Sequence, residues 1–154
     1  MCCFDIGVSA WGRAGATSFS SPQRVQQALS EKAFIQQALG LDPQARIVSL
    51  GDFNDFEFSA PIRTLTGEAA GSQILFGLAA RVLPPEERYS YVFEGNSQAI
   101  DHILLSNHLF SDRPFAYDVV HVNSEFAAQA SDHEPQVVRI AFDIPPVYLP
   151  VIRR

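Results

Sequence analysis

Three polar clusters border three apolar, strand-like runs, and this arrangement limits the possible folds more than any other feature of the chain. Gly51-Asp52-Phe53-Asn54-Asp55 follows the run ARIVSL, Ile100-Asp101-His102 opens AIDHILLS, and Ser131-Asp132-His133 precedes PQVVRIAFD. Each cluster sets a carboxylate beside an amide or an imidazole, next to residues suited to a core. Strands lying in one sheet would bring such clusters to a common edge. Asp101 is the hardest to dismiss, because a carboxylate at the start of an apolar strand is costly to bury unless paired or hydrogen-bonded. His133 is its natural partner.

The rest of the chain supplies the layers. Ser21-Pro22 suits a helix start, with Ser as N-cap and Pro in the first turn. Val25, Ala28, Leu29, Phe34, Ile35, Ala38 and Leu39 then approximate one amphipathic stripe, ended by Gly40 and Asp42-Pro43. Ser59-Ala60-Pro61 opens a second, short helix, and residues 67–85 show no assignable period. RYSYVFEG and AIDHILLS read as strands around a turn at NSQ, followed by strands in AYDVVHVNSEF and PQVVRIAFD. Residues 1–21 are Gly/Ala/Ser-rich and read as an irregular segment, 22–144 as the domain, and 145–154 as a Pro-rich tail. The class is α+β: one mixed β-sheet with helices on one face. The other face, with Phe93, Ile103, Leu105, Val120 and Val138, is then expected to lie bare and to seek a partner layer.

Composition narrows the functions. The chain is 47% hydrophobic and 18% charged, enough for a core and against disorder. Its net charge is −6 with a single lysine, so it has no basic patch for gripping nucleic acid by charge alone. Phosphate chemistry would need a divalent cation to offset the carboxylates. Cys2 and Cys3 are adjacent and offer neither a disulfide framework nor a zinc site. The start has no basic, apolar leader pattern, and no window approaches a membrane span. There is no HExxH, GxSxG or Walker-type loop.

Converging Asp, Asn and His suit phosphodiester hydrolysis: carboxylate oxygens hold Mg²⁺, a base activates water, and donors stabilise charge on the phosphate oxygens. Each cluster alone has a bland explanation. GDFND is a good turn sequence, and polar pairs crowd loops. By strand alternation His102 projects away from Asp101, and His108 and His121 read as ordinary surface or satisfied residues.

Together, VSLGDFNDFEFSAPI, YSYVFEGNSQAIDHILLS and FAAQASDHEPQVV resemble the endonuclease/exonuclease/phosphatase family in sequence, order and spacing. The match is closest to its extracellular-nuclease-like, deoxyribonuclease-like branch. The resemblance implies the C-terminal half of a four-layer α/β/β/α sandwich and a metal-dependent phosphodiester hydrolase. By the same resemblance Asp52 activates or orients water, Asn54 binds the scissile phosphate, and Asp101 holds the imidazole of His133. His133 stabilises the transition state or moves a proton. Asp132, with Asp52, serves the metal. The implied cofactor is Mg²⁺, with Mn²⁺ or Ca²⁺ as alternatives, and the implied partner is nucleic acid or another phosphodiester. A secreted or periplasmic bacterial setting is implied as well. The family's first half normally supplies a metal-binding Glu, and the stretch before Pro22 does not match it. Self-association or a separately encoded first half would complete the fold. The alternatives are a non-catalytic fragment and a phosphatase or phospholipid hydrolase of the same fold.

Overall fold

The computed structural model describes residues 21–124 and 126–142. The segment read as irregular (1–21) lies outside them but for Ser21, and the Pro-rich tail (145–154) lies wholly outside. Helix α1 spans Ser21–Leu41 and is followed by β1, Val48–Asp52. Asp42 ends the helix as expected: its carboxylate accepts from the Gln44 N–H at 2.9 Å. The buried stripe of α1 is narrower than the sequence suggests. Ala28 and Ile35, two turns apart, are buried, whereas Leu29 and Phe34 are 44% and 55% exposed. At about 100° per residue, those two lie on either flank of the Ala28–Ile35 line.

Helix α2, Ala60–Thr66, begins after Ser59 with Pro61 in its first turn and packs on α1. It stops at Gly67, whose φ of 84° suits a residue without a side chain. A Cβ there would also lie 2.2 Å from the Ser72 carbonyl oxygen. Beyond it come β2 (Leu75–Gly77), α3 (Ala79–Val82), β3 (Tyr91–Phe93), β4 (Asn96–Gln98), β5 (Asp101–Ser106), α4 (Asn107–Asp112), β6 (Phe115–Val119) and β7 (Gln136–Ile140).

The α+β class holds, but the pairing differs from a single mixed sheet. All described ladders are antiparallel: a three-stranded sheet ordered β1-β5-β2, a β3-β4 hairpin and a β6-β7 ribbon. The turn of the hairpin is Glu94-Gly95, with φ of 50° and 78°. Two positive φ values in a two-residue loop match the twist of a hairpin, and Gly95 adopts its value without strain. NSQ, expected to turn, is therefore the returning strand.

The second sheet face is not bare. On β5, alternate side chains enter two cores. Leu104 joins Ala28, Ile35, Leu65 and Leu75 on the α1–α2 side. Ile103 and Leu105 join Leu78, Leu109, Tyr117 and Val119 on the other, with Val138 packed against them. Phe93 and Val120 are half-buried. The cover comes from residues 78–83, α4 and the β6-β7 ribbon, so the chain itself supplies much of the layer that the sequence reading sought elsewhere. Among the described residues no helix is long and apolar enough to cross a membrane.

Candidate active site

The β1–β5 register builds the site. Asp52 closes β1, Asp101 opens β5, and the two face each other across the ladder. Two carboxylates directly opposite repel. Burial, then the Asp101 charge, push the Asp52 carboxyl above its ordinary value, against a lowering bond from Asn54. That bond runs from the Asn54 N–H to Asp52 Oδ1 at 2.8 Å, and Asn54 Nδ2 donates to Oδ2 at 3.1 Å. Asn54 has a φ of 51°, a left-handed conformation that Asn tolerates better than most residues. The loop is anchored by Phe53 N–H donating to the Ile100 carbonyl at 3.0 Å.

Asp101 is held from two sides. Ser90, fully buried, donates its hydroxyl to Asp101 Oδ2 at 2.6 Å, and His133 Nδ1 lies 2.7 Å from the same oxygen. With Asp101 ionised, Nδ1 carries the proton and donates it, leaving Nε2 for a substrate. Burial alone would lower the His133 pKa. The bond and charge of Asp101 outweigh it, with Asp52 and Asp132 adding to the rise, so the net shift is upward. The Tyr91 ring packs on His133 with centroids 4.7 Å apart, and the two residues form a backbone bridge.

A second tier fixes His133 itself. Glu134 N–H donates to the Ser90 carbonyl at 2.7 Å. The Glu134 carboxylate, buried, accepts from the backbone N–H groups of Val122, Asn123 and Ser124 and from the Ser124 hydroxyl. Asn123 Nδ2 donates to the His133 carbonyl at 2.6 Å. On the far side of β5, His102 is buried and its Nε2–H donates to the Asp55 carbonyl at 2.7 Å. Burial lowers its pKa, so it is a neutral latch on the loop. Asp55 itself pairs with Arg24 of α1.

The structure thus brings Asp52, Asp101 and His133 together, with one ligand atom from each inside 4.8 Å, and Asn54 beside Asp52. Asp132 is exposed and lies outside this group, although its charge reaches His133 and Tyr91. His108 pairs with Asp112, and His121 stacks on Tyr89. Sequence reasoning missed Ser90, Asn123 and Glu134, because a lone serine, asparagine or glutamate forms no pattern. The Tyr91 ring also went unread, as one aromatic among several in RYSYVFEG. The donor set suits a hard divalent cation: two neighbouring carboxylates whose repulsion a cation would relieve.

Solved structures superpose on this chain. A mannosyl-6-phosphatase from Bacteroides thetaiotaomicron superposes with a TM-score of 0.54 at 21% identity, over 80% of this chain and 48% of that one. An endonuclease/exonuclease/phosphatase family protein from the same organism superposes with a TM-score of 0.56 at 20% identity, over 85% and 48%. The chain therefore shares their fold and spans about half their length. No curated protein matches it. The profile of the Endonuclease/Exonuclease/phosphatase family matches residues 4–135, most of the chain, and the protein belongs to that family.

Proposed function

We propose that the chain carries the catalytic centre of a metal-dependent phosphoester hydrolase. The observation that carries this reading is the convergence of Asp52, Asp101 and His133 from three separate segments, with His133 Nδ1 2.7 Å from Asp101 Oδ2. In this reading Asp52 accepts a proton from the attacking water. Asn54 orients Asp52 and has a second Nδ2 hydrogen for a phosphate oxygen. The imidazolium form of His133, which Asp101 favours, offers Nε2–H to the charge that grows on the phosphoryl oxygens. The water oxygen bonds to phosphorus, the ester P–O bond breaks, and the departing alcohol takes a proton from solvent. A divalent cation held by Asp52 and Asp101, with Mg²⁺ first among candidates, would offset the carboxylates and add positive charge beside the phosphate.

The test is turnover of phosphate esters by the purified chain with Mg²⁺, beside Asp52→Asn and His133→Gln. Each substitution is expected to lower kcat by about 10²- to 10⁴-fold, and chelation is expected to abolish activity. Folded chain that releases no alcohol from any ester would leave a non-catalytic member of the family. Nucleic-acid cleavage, as the deoxyribonuclease-like motifs suggest, is scored in the same assay by nicking of supercoiled plasmid.

A further inference from the structure

Ester hydrolysis moves two protons: the attacking water loses one, and the departing alcohol gains one. In the mechanism above the second comes from solvent, although a phenol stands against the catalytic imidazole. Tyr91, the first residue of β3, packs its ring on His133 with centroids 4.7 Å apart at 34°. An antiparallel backbone bridge joins the same two residues. Phe93, two positions on and therefore on the same face of the strand, stacks on Tyr91 as well, at 6.2 Å and 11°. The phenol is half-buried, and these ring contacts leave its hydroxyl without a hydrogen-bond partner among the described residues.

The strands set Tyr91 and Asp52 on opposite flanks of Asp101. Along an extended strand, the backbone N–H and C=O of one residue point to one side and those of the next residue to the other. The Ile100 carbonyl accepts from the Phe53 N–H, on the β1 side. The backbone groups of Asp101 therefore point away from β1. Its N–H donates to Ser90 Oγ at 3.2 Å, and its carbonyl accepts from Gln136 Nε2 at 2.8 Å. Asp52 thus comes from the β1 side, and Ser90 with its neighbour Tyr91 from the other. Phosphoryl transfer has the same polarity, because the attacking and leaving oxygens lie roughly in line across phosphorus. With water activated at Asp52, the ester oxygen departs toward the flank of Tyr91.

We propose that Tyr91 gives its hydroxyl proton to the departing alcohol oxygen, an inference that rests on the hydrolase reading above. The water oxygen bonds to phosphorus as Asp52 takes its proton. The ester P–O bond breaks, its electron pair stays on the alcohol oxygen, and the Tyr91 proton passes to that oxygen. Solvent then carries the proton on Asp52 back to the tyrosinate, which closes the cycle. Burial, then the charges of Asp132 and Asp52, push the Tyr91 phenol above its ordinary pKa, so its proton is in place near neutral pH.

The experiment compares leaving groups. Rates with Mg²⁺ would be measured for the parent, Tyr91→Phe and His133→Gln on two matched pairs, and whichever pair the parent turns over is read. One pair is ethyl phosphate with 4-nitrophenyl phosphate; the other is plasmid nicking with ethyl 4-nitrophenyl phosphate. The first member of each releases an alkoxide that needs a proton, and the second releases 4-nitrophenolate, a stable anion that does not. Phenylalanine keeps a ring against His133 and Phe93, so the variant removes the hydroxyl alone. Tyr91→Phe is expected to slow the alcohol-releasing member by about 10²-fold and the nitrophenol-releasing member by less than about threefold. Equal losses on both members would make Tyr91 a positioning residue, and no loss on either would make it a bystander; both overturn the inference. So would a leaving-group-selective loss in His133→Gln alone, which assigns the proton to the imidazole. In those three cases the hydrolase reading stands. If the parent cleaves no ester and no plasmid, that reading fails and takes the inference with it.

Discussion

Glu134 is 3% exposed, and an ionised carboxylate so placed is unfavourable unless its oxygens are satisfied. Burial alone would raise its pKa. The Ser124 hydroxyl and the backbone N–H groups of Val122, Ser124 and Asn123 outweigh that and hold it at about 2. A carboxyl whose folded pKa is depressed stabilises the fold above its unfolded pKa, and the contribution fades as pH falls through the folded value. The window runs from 4.5 down to about 2. Glu134→Gln is therefore expected to cost about 2–3 kcal/mol near neutral pH, with the gap from the parent narrowing across that window. Urea unfolding at a series of pH values checks this, and a pH-independent gap would refute it. Because Asn123 and Glu134 also hold the backbone around His133, the substitution should broaden the His133 ring resonance as well.

At the scale of elements, much of the chain was legible where a local rule applied. Pro61 after Ser59 marked α2, Asp42-Pro43 marked the end of α1, and the apolar run after Asp101 marked β5. Residues 67–85 were not legible, since a three-residue strand and a one-turn helix are too short to show a period. That stretch supplies Leu78 and Ala79 to the cover over Ile103 and Leu105, which is why the second sheet face looked bare in sequence. The energetic consequence is direct. Leu105→Ala, at a residue with no exposure, is expected to lose about 2–5 kcal/mol. Val137→Ala, at a residue 53% exposed on β7, is expected to change stability by less than about 1 kcal/mol. Denaturant midpoints of the two variants decide, and comparable losses would contradict the buried second core.

For the whole molecule, the acidic balance and the site belong to one account. Asp52 and Asp101 are set opposite each other in a chain of net charge −6, so a bound divalent cation should stabilise the fold by mass action. Millimolar Mg²⁺ is expected to raise the unfolding midpoint. Asp52→Asn should gain about 0.5 kcal/mol without metal by removing like charges across the ladder, and should lose the response to Mg²⁺. An unchanged Mg²⁺ response in that variant would place the cation elsewhere. The two site carboxylates and the imidazole stood out in sequence as Asp52, Asp101 and His133, but their mutual distances did not, because those depend on pairing between distant segments.

That pairing has one further consequence. Asp52 sits opposite Asp101 only in the observed register, with Val48 opposite Leu105 at the other end. A slip of one residue would turn every β1 side chain to the other side of the sheet, taking Val48 away from the core of Ile103 and Leu105 and turning Asp52 away from Asp101. The hydrophobic pattern that proofreads the strand during folding therefore also proofreads the chemistry. A chain that has found its core has, by the same act, aligned its reactive groups, and a misaligned copy is penalised as a misfolded one before it can misfire as an enzyme.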